Sequence, residues 1–275
     1  MQGHDLPMER TMIIAPHPDD DVIAAGGLIQ QVLSAGGELR VLYVTDGENN
    51  PWPQRAIERR LILRAGDRRR WGLMRRAEAL ASLAVLGAPA DASRFLGFPD
   101  HRIASLLLSG DRRLKLALTE AVDDFEPTLV IIPSHYDLHP DHRAIASFSR
   151  KALEIRRELR AVRTYLLHGS NTGARVQTVL QLSSSERERK ERAIMSHRSQ
   201  LYLSRSRFLA HARRFETFCR EELDVPERQT RASFFFASLW HVGSVLSRPT
   251  INTVEPPQEP QGGEAPSYDP ATRRV

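Results

Sequence analysis

Two short clusters of histidine and aspartate most constrain what this chain can fold into, because each directly follows an apolar, strand-like run. The first run, 12–15, leads into Pro16-His17-Pro18-Asp19-Asp20-Asp21, and the second, 128–133, leads through Asp137 into His139-Pro140-Asp141-His142. In domains built on a parallel sheet, ligands bind beyond the carboxyl ends of the strands. The two clusters therefore predict one site assembled from two turns.

The chemistry of these side chains is that of a divalent metal site. Imidazole and carboxylate groups occur in both clusters and cysteine in neither, which favours zinc, with iron(II) as an alternative. His17, Asp20 and His142 supply two imidazoles and one carboxylate, and a fourth position stays open for water. Asp19 and His139 are then left over for proton transfer.

A purely structural interpretation applies to single members of the clusters. An aspartate before a helix often caps exposed amides, and for Asp21 alone that interpretation is preferred. An isolated histidine beside a strand is usually an ordinary polar residue, and we interpret His101, His168, His197 and His211 in that way. Two His-Pro-Asp turns, each after a strand-like run, favour a functional site.

Composition indicates a globular protein of the cytoplasm. The 275 residues are 41% hydrophobic and 27% charged, and the single cysteine excludes an internal disulfide. The amino terminus does not resemble a signal peptide, and no apolar run is long enough to span a membrane. The net charge of +5 comes largely from arginines within 55–76 and 187–214. Stacking aromatic residues are not interleaved with them, so nucleic acid is not an expected partner.

The order of segments predicts an α/β domain with a mostly parallel sheet. Helices are expected over 21–35, 73–86, 103–125 (interrupted near 109–110) and 139–159, and a further helix is expected to start at a capping box of Ser185 with Glu188 and to run through Gln200. An arginine-rich insert at about 49–71 is expected to be a mobile loop with some helix. We expect one domain over 1–248 and a disordered tail, rich in proline and glycine, over 249–275.

The two motifs resemble the signatures of the LmbE-like (PIG-L) family of zinc-dependent N-deacetylases. The segment 15–21 is similar to the family's A-H-P-D-D-E motif, and 139–142, with Asp137 before it, is similar to its second motif. Weaker similarity covers 45–48, 75–78, 96–100 and the stretch Lys190…His197…Gln200. The resemblance spans about residues 11 to 200. It implies a Rossmann-like, three-layer fold with the metal site at the carboxyl ends of the strands.

The resemblance also implies a role for each matching residue. His17, Asp20 and His142 would bind zinc, Asp19 would be the general base, and His139 would stabilise the oxyanion or act as an acid. Asp141 and Asp137 would be carboxylates that orient a histidine. From the less specific motifs, Arg75 and Asp100 would contact the sugar. Asp21 stands where the family has glutamate, and His197 where tyrosine is common. The insert at 49–71 has no family counterpart and is a candidate specificity lid.

The function predicted is hydrolysis of the N-acetyl group of an N-acetylglucosamine-type sugar or sugar conjugate. One alternative is a metal-dependent amidase for another N-acyl substrate, such as a thiol conjugate or an antibiotic. A second is a non-catalytic module that binds acidic partners through its arginines. The expected partner is a small molecule, and a homo-oligomer is compatible with the sequence.

Overall fold

A sheet of seven strands forms the centre of the computed structural model, which describes residues 6–154, 159–169 and 176–221. The strands are β1 Arg10–Ala15, β2 Glu38–Thr45, β3 Ser93–Phe98, β4 Leu129–Pro133, β5 Ala161–Tyr165, β6 Val176–Gln181 and β7 Phe215–Arg220. Their order is β3-β2-β1-β4-β5-β7-β6. Strands β1 to β5 pair in parallel, whereas β7 is antiparallel to β5 and β6. The prediction of an α/β fold with a mostly parallel sheet is confirmed.

Strand β1 is the point where the order of the sheet reverses. It pairs with β2 on one side and with β4 on the other. The chain moves outward from β1 through β2 to β3, and it then crosses back to place β4 on the opposite side. A crevice forms beyond the carboxyl ends of the strands at such a reversal. The two His-Asp clusters follow β1 and β4, so they lie at this crevice.

Helices cover both faces of the sheet and give the expected three layers. The helices are α1 Asp20–Ser34, α2 Pro51–Glu58, α3 Ala65–Leu86, α4 Ile103–Leu108, α5 Arg113–Phe125, α6 Pro140–Leu153, α7 Ser184–Met195 and α8 Arg198–Leu209. Strand β1 shows how the layers arise, since successive side chains point to opposite faces. Ile13 packs with α1, α3 and α7 in one apolar layer, and Ile14 packs with α4, α5 and α6 in the other.

Several helix bounds differ from the sequence prediction. The segment 49–71 contains α2 and the first turns of α3, which begins at Ala65, so most of the expected loop is helical. Helix α6 ends at Leu153, before the expected end at 159. The interruption near 109–110 is present between α4 and α5. Gly87 ends α3 in the left-handed conformation, with φ of 88°.

The predicted capping box was wrong by two residues. The Ser183 hydroxyl accepts from the Glu186 amide at 3.2 Å, and the Glu186 carboxylate accepts from the Ser183 amide at 2.7 Å. Ser183-x-x-Glu186 and Ser185-x-x-Glu188 fit the same pattern, and the sequence alone does not distinguish them. The single helix expected from this cap through Gln200 is two helices, α7 and α8.

Helix α1 is broken at Ala25, and a buried ion pair binds both sides of the break. Ala25 has φ of −138° and ψ of 20°, outside the helical region. The Lys190 ammonium donates to the Ile23 carbonyl at 2.9 Å and to Glu216 at 2.7 Å. The Glu216 carboxylate accepts from the amides of Gly27 at 2.6 Å and Leu28 at 2.9 Å. The pair therefore satisfies backbone groups that the break would leave unpaired.

The two glycines after the break allow this close packing. A Cβ atom on Gly27 would lie 2.6 Å from the side chain of Leu182, and one on Gly26 would lie 3.1 Å from the Lys190 side chain. The contacts come from Leu182, which follows β6, and from α7.

The described residues all belong to one compact unit. The predicted boundary at 248 and the predicted tail over 249–275 lie outside the described residues, so the single-domain assignment stays a prediction. Among the helices that the structure describes, none is long and apolar enough to cross a membrane.

We expect the substitution Lys190→Met to lower the free energy of unfolding by about 3–5 kcal/mol, because it leaves Glu216 buried without its cation. Urea denaturation of the metal-free protein measures this change. The control is Arg189→Met on the same helix, at an exposed position, which should change stability by less than about 0.5 kcal/mol. Equal stability of the two variants would contradict a structural role for the pair.

Candidate metal centre and active site

The turns after β1 and β4 bring three predicted ligands together. His17 lies between β1 and α1, Asp20 is the first residue of α1, and His142 lies in the first turn of α6. His17 Nδ1 lies 3.0 Å from Asp20 Oδ2, and His142 Nε2 lies 3.2 Å from the same oxygen. All three side chains are buried, and their donor atoms form a group close enough to hold one metal ion.

Each of these imidazoles has a carboxylate at its second nitrogen. Asp100 Oδ1 lies 3.1 Å from His17 Nε2, and Asp137 Oδ2 lies 3.1 Å from His142 Nδ1. Histidine ligands of metals usually carry such a partner, which fixes the ring orientation. Asp100, predicted as a sugar contact, is only 4% exposed and faces His17. Its position supports orientation of His17, while the sugar-contact role stays a prediction.

Asp137 organises the turn that leads into α6. Its Oδ1 accepts from the His139 amide at 2.8 Å and lies 3.0 Å from His168 Nδ1. Its Oδ2 accepts from the amides of Leu167 and His168 at 3.1 Å and 3.2 Å, in addition to facing His142. One fully buried carboxylate therefore ties the segment after β4 to the segment after β5. The structure supports the predicted placement of Asp137 beside a histidine.

Asp19 is fixed by Arg75 rather than by the metal-site histidines. Arg75 Nη2 lies 3.0 Å from Asp19 Oδ2, and Arg75 Nη1 donates to the Gly47 carbonyl at 2.8 Å. Gly47 has φ of 62°, and a Cβ atom there would overlap the guanidinium. Arg75 is 3% exposed, so the predicted sugar contact is a buried residue that holds Asp19.

His139 and Asp141 occupy the start of α6. The Asp141 amide donates to His139 Nδ1 at 3.3 Å, which leaves the hydrogen of a neutral His139 ring on Nε2. The rings of His17 and His142 lie with their centroids 5.0 Å from that of His139. Asp141 Oδ1 accepts from the Ala104 amide at 3.4 Å, and its carboxylate belongs to a group with His17 and Asp100.

Burial and neighbouring charges shift the pKa values of these groups in opposite directions. Burial raises the pKa of Asp19 to about 6, although Arg75 opposes the shift. Burial also acts on Asp20, but His142 and His17 outweigh it and hold the Asp20 pKa well below the ordinary value. Burial lowers the pKa of His139, and His17 and His142 lower it further. The His139 ring is therefore neutral around pH 7.

The preferred interpretation of Asp21 as a helix cap was wrong. Its Oδ2 accepts from the Tyr43 hydroxyl at 2.8 Å, and the side chain is fully buried beneath the site. Asp19, the residue before α1, makes no side-chain cap either.

The donor set fits a divalent metal. His142 Nε2 is buried and has no hydrogen-bond partner among the described residues, although it faces Asp20. A ring nitrogen in that position is costly unless something coordinates or bonds it. Two imidazoles and one carboxylate are ligands that zinc and iron(II) accept. His17, Asp20 and His142 would hold the ion.

Sequence reasoning missed two residues that lie at the site. His168 follows β5 and packs against the rings of His142 and His139, with centroids 4.9 Å and 5.5 Å away. Glu48 follows β2 and accepts from the Asp100 amide at 2.9 Å. Their positions directly after parallel strands were the available signal. Of the other histidines, His101 packs edge-on against the His139 ring, while His197 is buried in the short connection between α7 and α8.

We expect Asp100→Asn to weaken metal binding by about 10–100-fold, because His17 loses the carboxylate that orients it. Competition with a chromophoric chelator measures the affinity for zinc. Asp124→Asn, which alters an exposed ion pair with Arg94, is the control. Unchanged metal affinity with a raised KM would favour the sugar-contact role instead.

Sequence comparisons identify relatives of known activity. The family model described as "PIG-L: GlcNAc-PI de-N-acetylase" matches residues 12–153, more than half of the chain. A 1D-myo-inositol 2-acetamido-2-deoxy-alpha-D-glucopyranoside deacetylase of Mycobacterium sp. (strain KMS) is 31% identical over 147 residues. That alignment covers 48% of this chain and 46% of the relative. The chain thus spans about half the length of the curated relatives it matches.

Solved structures share the fold. The N,N'-diacetylchitobiose deacetylase from Pyrococcus horikoshii has a TM-score of 0.59 and 22% identity, covering 78% of this chain and 84% of that one. The 4-carboxy-2-hydroxymuconate hydratase from Pseudomonas putida KT2440 has a TM-score of 0.58 and 19% identity, covering 79% and 98%. The same architecture therefore serves different reactions, and the residues of the site must distinguish them. The matched segment 12–153 contains both His-Asp clusters, and the chain belongs to the PIG-L family.

Proposed function

We propose that this protein is a metal-dependent amidohydrolase that removes the acetyl group from an N-acetylglucosamine-type sugar or sugar conjugate. One observation carries the proposal: His17, Asp20 and His142 converge at the crevice, with Asp19 and His139 beside them. Membership of the PIG-L family and the deacetylase activity named for the mycobacterial relative support the same reaction.

The metal we propose is zinc, and iron(II) is compatible with the same ligands. When bound, such an ion lowers the pKa of a water molecule and polarises the amide carbonyl. His17, Asp20 and His142 hold it, and Asp100 and Asp137 keep the two imidazoles in orientation. The burial of all five side chains excludes bulk water from the ligands.

Asp19 and His139 move the protons of the reaction. Asp19 accepts a proton from the attacking water, while Arg75 holds its carboxylate in place. The Nε2–H of His139 donates to the oxygen that gains negative charge as water adds to the carbonyl. The proton from water then passes to the departing nitrogen, so that the amide and water yield acetate and a free amine.

The substrate is a small molecule in this proposal, and the protein acts in the cytoplasm. The single Cys219 is a free thiol, which supports a reducing compartment. Arg68 and Arg69 are exposed in the segment expected as a specificity lid, and the alternative of a non-catalytic module for acidic partners depends on such arginines. A binding module would not require the buried His17, Asp20 and His142, so removal of the metal distinguishes a binding module from a deacetylase.

We expect removal of the metal with a chelator to abolish acetate release from N-acetylglucosamine conjugates, and zinc to restore it. The measurement combines metal analysis with an acetate assay. About one ion per chain is expected, because the two other groups that could hold an ion each share a histidine with the set His17, Asp20 and His142. A panel of other N-acyl substrates, run in parallel, tests the amidase alternative. Full activity in metal-free protein would contradict the proposal.

We expect Asp19→Asn to reduce kcat by at least about 100-fold while zinc affinity changes little, because the amide cannot accept the proton from water. Acetate release and metal content are measured on the same preparation. Asp124→Asn, which alters an exposed ion pair with Arg94, is the matched control. Retention of activity by the Asp19 variant would refute its assignment as the base.

A further inference from the structure

A groove of about 460 Å³ opens beside the candidate metal centre. Its walls come from the segment after β2, from the first turns of α3 and from the end of β3. Polar lining is contributed by Asp46, Glu48, Arg68, Arg69 and Arg76. The volume is sufficient for a sugar-sized group.

Glycine allows α3 and the segment after β2 to approach closely at the base of the groove. A Cβ atom on Gly72 would lie 3.0 Å from that of Asp46 and 3.1 Å from that of Glu48, so any larger residue would push the segment after β2 away from α3. Gly97 lines the groove from β3 and adds no side chain. The groove therefore has walls of long polar side chains over a base without bulk.

Glu48 connects the groove to the candidate metal centre. Its Oε1 accepts from the Asp100 amide at 2.9 Å, and the Asp100 carboxylate lies 3.1 Å from His17 Nε2. Glu48 Oε2 is buried and has no hydrogen-bond partner among the described residues. One wall of the groove is therefore linked to His17 through Asp100.

The charges of the groove favour an anion. Arg76 is already paired with Asp46 at 2.7 Å. Arg68 and Arg69 are exposed at the groove, and within 6–154, 159–169 and 176–221 neither forms an ion pair. Apart from the pair of Arg76 and Asp46, the guanidinium groups of Arg68 and Arg69 thus outnumber the one other charged group of the lining, the Glu48 carboxylate. Arginine recognises phosphate and carboxylate groups through paired hydrogen bonds.

We propose that this groove is a subsite for an anionic group on the substrate, such as a phosphate ester, and that Arg68 and Arg69 bind it. This inference depends on the proposed function, because it defines the substrate class as acidic N-acetylated amino sugars. It gives the arginine-rich segment 49–71 a role in specificity.

Binding of deacetylated sugars tests the subsite apart from the reaction. Calorimetry compares glucosamine 1-phosphate with methyl glucosaminide, which share the amine and differ in the anion. We expect the wild-type protein to bind the phosphate about tenfold more tightly. In the double variant Arg68→Gln and Arg69→Gln, we expect the ratio of the two association constants to fall to about one.

The matched control replaces Arg187 and Arg189, two exposed arginines of α7, with glutamine. It removes the same net charge away from the groove and should keep the preference. Equal binding of both sugars by the wild-type protein, or the same loss in the control variant, would overturn the proposal. Acetate release from the corresponding N-acetyl sugars is followed separately, so failure of the deacetylase function would be recognised independently of the subsite.

Discussion

The buried pair of Lys190 and Glu216 is the interaction on which the arrangement of the site depends. It connects three parts of the chain: the break in α1, helix α7 and strand β7. An intact helix would pair the amides of Gly27 and Leu28 with its own carbonyls and continue Asp20–Ala24 along the same axis. The Glu216 carboxylate accepts hydrogen bonds from those amides instead, so the first turn of α1 runs in a different direction from the rest of the helix. That turn carries Asp20, and its direction sets the position of the Asp20 carboxylate relative to His142.

The site concentrates carboxylates in a region from which water is largely excluded, and this requires compensation. A buried carboxylate without a partner is strongly unfavourable. Here Asp20 and Asp137 face imidazoles, Asp19 faces Arg75, and Asp100 faces His17. The partner of each carboxylate both fixes its orientation and offsets its charge. The arrangement explains why Asp19 alone among these keeps a raised pKa: its compensation by Arg75 does not outweigh burial, and Asp20 lies next to it.

The sequence predicted the class of fold and the position of the site because local pattern and topology agree there. Apolar runs ended at His-Asp turns, and parallel pairing necessarily brings such turns to one edge. The strands β6 and β7 were both missed, and for β7 the reason is physical. Glu216 takes a core-facing position in β7, so the alternation of apolar residues that indicates a strand is interrupted by a charge. The break in α1 could not be predicted from local sequence either. Lys190 and Glu216, which are distant in sequence, make the non-helical geometry at Ala25 favourable. The places of Asp100 and Arg75 also depend on long-range contacts that no local motif records.

The pairing of β1 with β4 has a consequence for the order in which the proposed metal site assembles. Thr11 pairs with Leu129, so two segments far apart in the chain must meet before His17 and His142 can share an ion. Closing so long a loop is slow compared with forming local helices. The amino-terminal cluster emerges first during synthesis, with His17 and Asp20 but without the second imidazole. The proposed ligand set is therefore complete only after the central sheet has assembled. An ion that binds only the native protein would shift the folding equilibrium toward it.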